Sequence, residues 1–295
     1  MAVSIVTDST SYLPLAERAR YGIGVVPLSV HLDGVEYVED TPIVESFYAA
    51  LAASKAFPTS SQPSVNVLVE ALEAPVARGD DVVAVFLSSE MSGTYSTALL
   101  ARDMVQEKHP EANIEVIDSR SNCMELGFAV LSAARAAAGG GTLDQVAEAA
   151  RRTIARTRFL FVPDTLEYLR RGGRMGGAQA LLGTLLQIRP ILTVVDGRTE
   201  VFAKVRTKSK ALAEIVAAFK RDIDAKGFCD AIVHHIDDEP EGAQLAKMVE
   251  AVTGVAPQVI GIGPAIGTHV GPSTAGLVYS TNEEMHKSVS GKEQP

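Results

Sequence analysis

Five hydroxyls crowd around one glycine in residues 86–101, FLSSEMSGTYSTALLA: Ser88, Ser89, Ser92, Thr94 and Tyr95 surround Gly93. An apolar run over 82–87 ends at this cluster, and a helical pattern carrying Ala98, Leu99, Met104 and Val105 follows it. The pattern predicts a buried strand, a tight loop and a helix whose first-turn N–H groups point at the loop. Short hydroxyl donors, free N–H groups and the positive end of a helix together suit an anion. An ordinary N-cap needs one such residue, and five are more than a cap requires. The pattern returns: residues 58–64, PTSSQPS, form a second hydroxyl-rich loop, while the runs 3–7 and 114–117 end in DST and DSRSN.

Those loops need elements to hold them. The run 3–7 reads as a strand, a helix starts near Pro14, and 24–32 reads as a second strand that turns at Asp33-Gly34 into a hairpin. Helices are expected over 43–54, 65–76, 124–138 and 143–155, with strands at 82–87 and 114–117 between them. Strand–loop–helix repetition of this kind predicts a mostly parallel, doubly wound α/β sheet, which binds ligands beyond the carboxyl ends of its strands. From about residue 156 the texture changes. A strand at 159–162, a short helix at 165–171, the basic turn RRGGR and an apolar helix at 178–186 precede an antiparallel pair, 191–195 with 200–205. A helix at 211–225, a strand at 231–235, a helix at 241–252, a strand at 258–262 and a loop-then-strand over 263–279 complete it. The expected organisation is an N-terminal α/β domain, 1–156, and a C-terminal α+β domain with a mixed or antiparallel sheet, 157–281. Residues 282–295 are polar and are expected to fray.

Composition narrows the function. The formal charge of −9 argues against nucleic acid as a partner, because phosphate contacts need a basic surface. Two cysteines, Cys123 and Cys229, make no disulfide framework, and no Cys/His spacing suggests a metal. The start, MAVSIVTDST, has neither a basic segment nor an apolar signal core, and no apolar run approaches a membrane span. A cytoplasmic, soluble protein of ordinary composition is expected, with membrane contact transient at most.

Taken together, the loops resemble the DegV family. The matching pieces are IVTDSTSYLP, TSSQPS, FLSSEMSGTYSTA, VIDSRSN, YLRRGGR, KVRTKSKAL and GTHVGPSTAGLVY, running in order from residue 3 to about 279. The resemblance implies a two-domain fold that binds a long-chain fatty acid between its domains. It also implies, for some members, service as the binding subunit of a fatty acid kinase, with ATP chemistry on a separate subunit. By the same resemblance the carboxylate site falls on Ser60, Ser61, Gln62, Ser92, Gly93, Thr94 and His269, and the arginine associated with acyl-phosphate formation on Arg206. Ser60 stands where many relatives carry threonine, which keeps the hydroxyl and loses a methyl.

The chemistry is consistent with that expectation. A lone buried carboxylate is prohibitive unless donors replace its water. Ser60 and Ser92 offer O–H groups and His269 one N–H. About 15 methylenes at roughly 0.8 kcal/mol each give about 12 kcal/mol before ordering costs, so the tail should dominate affinity and the loops set orientation. No cofactor and no metal are expected beyond the ligand itself. Arg170, Arg171, Arg174, Lys204, Arg206, Lys208 and Lys210 form two basic patches, readable as a solvated face or as the docking side for a kinase.

Two other readings stay open. One is a serine-hydrolase-like enzyme using Ser92 and His269, with Asp8, Asp118 or Asp164 orienting the imidazole, although Ser92 lies in no G-x-S-x-G elbow. The other is a lipid storage or sensing protein without a kinase. An ATP-using subunit is disfavoured by the lack of a phosphate loop. Cys123 reads as a buried thiol before a nucleophile. His31 and His286 read as bland, and His234-His235, at a strand end, as candidates to line the site.

Overall fold

The structure, a computed structural model, describes residues 2–39, 44–181 and 188–285. The chain begins with β1 (Val3–Asp8), α1 (Leu15–Tyr21), β2 (Gly24–Val26), β3 (Ser29–Leu32), β4 (Val35–Val38) and α2 (Val44–Ala53). There follow β5 (Thr59–Ser61), α3 (Val65–Val76), β6 (Asp81–Phe86), α4 (Thr94–Lys108), β7 (Ile114–Asp118), α5 (Cys123–Ala138) and α6 (Leu143–Ala155). Next come β8 (Thr157–Val162), α7 (Glu167–Arg171), β9 (Arg189–Val195), β10 (Arg198–Val205) and α8 (Lys208–Lys226). The last elements are β11 (Phe228–Ile236), α9 (Glu239–Thr253), β12 (Gln258–Gly261), α10 (Pro264–Val270) and β13 (Thr274–Thr281).

Alternation along β6 sets the first layer. Val82, Ala84 and Phe86 pack with Leu68 and Leu72 of α3 and Ala98, Ala101 and Val105 of α4. Val83 and Val85 face the opposite way, towards α5 and α6. Both faces are covered, as a parallel sheet requires, and the order β2-β1-β6-β7 is parallel throughout. The second sheet, β10-β9-β8-β13-β11-β12, is antiparallel except for the pair β11–β12. One face carries α8 and α9 through Leu212, Ile215, Phe219, Leu245 and Val249. Its other face, with Phe159, Phe161, Leu192, Val194 and Ile236, joins the same core as Val83 and Val85. Between the sheets lies α5, buried on almost every side from Cys123 to Ala134, which is how a helix apolar on nearly every face finds a stable place. A small third sheet, β4-β3-β5, stands apart from both.

Several elements differ from expectation. The strand read over 24–32 is two strands in two sheets, because Pro27 has no N–H for a ladder and the chain changes partner there. The TSSQPS stretch is a loop only in part: Thr59–Ser61 pairs antiparallel with β3, placing Ser60 opposite Val30. The helix expected over 178–186 is a 3₁₀ turn, Gly176–Leu181, as far as the described residues run, and 182–187 lie outside them. The loop expected after Gly263 is a helix, α10, with Pro264 in its first turn. The tail expected to fray lies outside the described residues from 286 onward.

Candidate functional site

A cavity of about 350 Å³ opens where the carboxyl ends of the parallel strands face the inner side of the second sheet. Thr10, Leu87, Ser92, Gly93 and Asn122 reach it from the loops after β1, β6 and β7. Phe159, Phe161, Val194 and Ile236 supply the opposite wall, and Ala265, Ile266, His269 and Val270 of α10 close it together with Ser60, Ser61 and Gln62. Apolar groups make up the larger part of the lining, and the polar ones come mainly from the strand-end loops, β5 and α10.

The closest polar pair is Ser60 with His269, Oγ to Nε2 at 2.7 Å. Strand register holds the first and the last turn of a helix holds the second. Burial pushes the imidazole down to about 4, and the neighbouring Arg174 charge adds to the effect, so the ring is neutral near pH 7. Its Nδ1 is buried without a hydrogen-bond partner, and a Cβ at Gly172 would overlap that nitrogen. A buried N–H with no acceptor is costlier than a bare lone pair. We therefore assign the proton to Nε2 from the bonding pattern. Nε2–H then donates to Ser60 Oγ, and the Ser60 O–H is free to donate to an acceptor in the cavity.

Arg174 brings the positive charge. Its Nε donates to the Met91 carbonyl at 3.0 Å and its Nη1 to the Gly172 carbonyl at 2.6 Å, while the side chain lines the cavity. An anion near Ser60 is therefore met by hydroxyls and a guanidinium, the donor set that replaces water around a carboxylate.

The hydroxyl cluster divides its labour. Only Ser92 of the five lines the cavity. Thr94, expected in the site, is buried in the first turn of α4 and bonds Ser92 Oγ through Oγ1 at 2.9 Å, so it steadies a lining residue without touching the space itself. Ser88 donates to the Gly197 carbonyl and Ser89 to Asp118, both uses internal to the fold. Gln62 ties the end of β5 to α4 through Thr97 Oγ1 at 2.7 Å, and Gly93 is the N-cap of α4. Arg206 is exposed between β10 and α8 and is not among the lining residues.

Residues that motif reading did not assign to the site include Thr10, Asn122, Arg174 and the two phenylalanines. Asp8, fully buried and pushed up to about 6 by desolvation, accepts from Thr10 N and Oγ1 and from Leu87 N, and so fixes the loop that presents Thr10.

The geometry does not assemble a hydrolase. The hydroxyl at His269 belongs to Ser60, not Ser92. No carboxylate reaches Nδ1: Asp118 is held by Ser89 and the Arg120 N–H, and Asp164 by Arg189. Cys123 is buried and its thiol is pushed well above its ordinary range, the reverse of an activated nucleophile. His234 does not line the cavity. It is buried, accepts from the Met124 N–H at 3.2 Å and bonds the Ile260 carbonyl through Nδ1 at 3.0 Å, and burial pushes it down to about 4. His235 accepts from the Asp238 N–H. Among the described residues no group of three or more His, Cys, Asp or Glu could hold a metal ion, and no helix is long and apolar enough to cross a membrane.

The family model described as "Uncharacterised protein, DegV family" matches residues 2–282. A DegV domain-containing protein of Clostridium acetobutylicum is 48% identical over 285 residues, covering 97% of this chain and 100% of that protein. Among solved structures, a fatty-acid-binding DegV family protein from Thermus thermophilus superposes with a TM-score of 0.85 at 34% identity, over 95% of this chain and 100% of that one. A stearic-acid-binding protein from Eubacterium ventriosum superposes with a TM-score of 0.86 at 27% identity, over 95% and 98% of the two chains.

Proposed function

The chain belongs to the DegV family, and from that premise we propose that its cavity holds a long-chain fatty acid. The carboxylate sits at Ser60 and Ser92 with Arg174 as counter-charge and His269 fixing the Ser60 hydroxyl; the tail runs along Phe159, Phe161, Ile236 and Ile266. The observation that carries this reading is the neutral His269–Ser60 pair set beside the apolar wall of Phe159, Phe161, Ile236 and Ile266. Such a pair offers an O–H to the carboxylate and leaves Arg174 as the charge that faces it. The relatives described as binding fatty acids support it. In this reading residues 1–156 and 157–281 are two domains and the ligand lies between them.

Denaturing extraction followed by mass spectrometry should recover a C16–C18 acid from purified protein. Oleate at about 100 times its Kd should stabilise stripped protein by about 2.7 kcal/mol, read as a rise in Tm. No recovered acid together with no rise in Tm refutes the proposal.

We propose further that the bound acid is presented to a separate kinase subunit, with no catalytic residue on this chain. Support comes from Arg206, which matches the family's residue for acyl-phosphate formation and stands exposed outside the cavity.

A further inference from the structure

Glu39 is a carboxylate buried where stability alone would place a neutral group. It follows β4 directly and is 8% exposed. Its Oε2 accepts from the Ser9 hydroxyl at 2.7 Å, and its Oε1 accepts from the Tyr12 hydroxyl and from the Ala265 N–H, each at 3.0 Å. Ala265 belongs to the first turn of α10, and a Cβ at its N-cap, Gly263, would overlap Oε1. A second strut stands beside the first: the Tyr48 hydroxyl of α2 lies 2.9 Å from the Ile262 carbonyl and 3.1 Å from that of Gly263. Side chains from the first 48 residues thus grip the turn that launches α10, more than 200 positions away. Four residues after Ala265, one helical turn on, stands His269.

We propose that Glu39 is a positioning residue for the fatty-acid site: its carboxylate sets the start of α10 and, through that rigid turn, the seating of His269 against Ser60. The proposal rests on the reading of the cavity given above. A buried carboxylate costs several kcal/mol of desolvation, repaid only when its oxygens are fully bonded. Here each oxygen is an acceptor, which is what the ionised form offers. A protonated Glu39 would need an acceptor for its own O–H. Ser9 Oγ already receives the Leu28 N–H at 3.1 Å, and accepting from Glu39 would require its hydroxyl to turn away. Tyr12 Oη could accept instead only by turning its own proton to the longer contact with the Gly263 carbonyl, at 3.4 Å, so the grip on α10 is strongest with the carboxylate ionised. Burial is the main cause that raises this group to about 7, and the Asp8 charge adds to it; the Ser9, Ala265 and Tyr12 bonds act the other way. Tyr12, Tyr48 and Cys123 face the same space and remain neutral, and His234 packs edge-on to Tyr12. Function and stability then run in opposite directions with pH. Because the folded value is raised, protonation favours the fold, and this stabilisation is lost as pH rises from about 4.5 through about 7. The seating of His269 is gained over the upper part of that interval.

The test uses the full chain with ¹⁵N-labelled histidine, the His269 ring signals being assigned by their loss in His269→Asn. In the wild type the His269 shifts should move as pH passes through about 7, although the imidazole itself titrates near 4. In Glu39→Gln they should stay flat over that range, while Tm at pH 8 is equal to or above that of the wild type. Tyr12→Phe removes one donor and should move the midpoint to higher pH, which keeps the test open if Glu39→Gln does not fold. At pH 8, Glu39→Gln should weaken oleate binding by about tenfold, and add nothing in a His269→Ala background. Unchanged His269 shifts in both variants, or a full tenfold loss in the His269→Ala background, overturns the proposal. A wild type that binds no fatty acid refutes the proposed function and leaves the ring shifts to decide the role of Glu39.

Discussion

Ser60 and His269 are 209 positions apart and share one hydrogen bond at 2.7 Å. Replacing Ser60 by Ala should remove the donor facing a bound carboxylate and weaken fatty-acid affinity by about 1.5–3 kcal/mol, the worth of a hydrogen bond to a charged group. Titration calorimetry reads it; an unchanged Kd would take Ser60 out of the site. Arg206→Ala should leave affinity within about threefold, roughly 0.6 kcal/mol, and cut acyl-phosphate production with a cognate kinase tenfold or more, about 1.4 kcal/mol of barrier. Equal losses in both assays would place Arg206 in the cradle, and normal turnover would make it an ordinary surface charge. Ser60, Ser92 and His269 were legible through the family resemblance, and all three line the cavity. Arg174 was not, since a run of arginines reads as a solvated face. Only the fold shows that two of its N–H groups bond carbonyls inside the site loops. Thr94 misled for the opposite reason: its hydroxyl belongs to the motif, but the first turn of α4 aims it at Ser92.

Elements place these side chains, and the ones that matter most were the hardest to read. With seven residues, a proline at its start, Gly267 within it and Gly263 and Gly271 at its two ends, α10 carries the local marks of a loop. It is helical because it is held from outside, by Glu39 and Tyr48 at its first turn and by the cavity wall along its length. β5, three residues long and polar, has no periodicity to reveal it, and only pairing with β3 defines it. The long parallel strands were legible for the contrary reason, since their apolar runs and polar ends repeat. Gly172, at the end of α7, tests how tightly two elements meet. Its φ of −72° suits any residue, so space alone is at stake. Gly172→Ala should push His269 off Ser60 and weaken fatty-acid binding about tenfold or more, with a small change in Tm. Equal affinity in a displacement assay would show that α10 has room to yield.

At the scale of the molecule, one core spans both large sheets and encloses ionisable groups whose pH responses oppose one another. His234 is held down to about 4, so the unfolded chain binds its proton more readily and stability falls as pH drops from 6.5 towards 4. Asp8 and Glu39, raised to about 6 and about 7, act in the other direction, their stabilisation being lost as pH rises through those values. His234→Asn should be less stable than the wild type at pH 7, and the deficit should shrink by roughly 3 kcal/mol on going to pH 4. Denaturant melts at the two values measure it, and a constant deficit would mean that the imidazole is not neutral in the fold. One feature of the second sheet reaches beyond equilibrium. β13, the last of the described strands, lies in its middle, between β8 and β11. A ribosome making this chain therefore releases β8–β9–β10 and β11–β12 as two unjoined pieces, and holds them so until residues 274–281 emerge. The wall that carries Phe159 and Ile236 cannot close before then, so the cavity takes shape only once β13 has been synthesised.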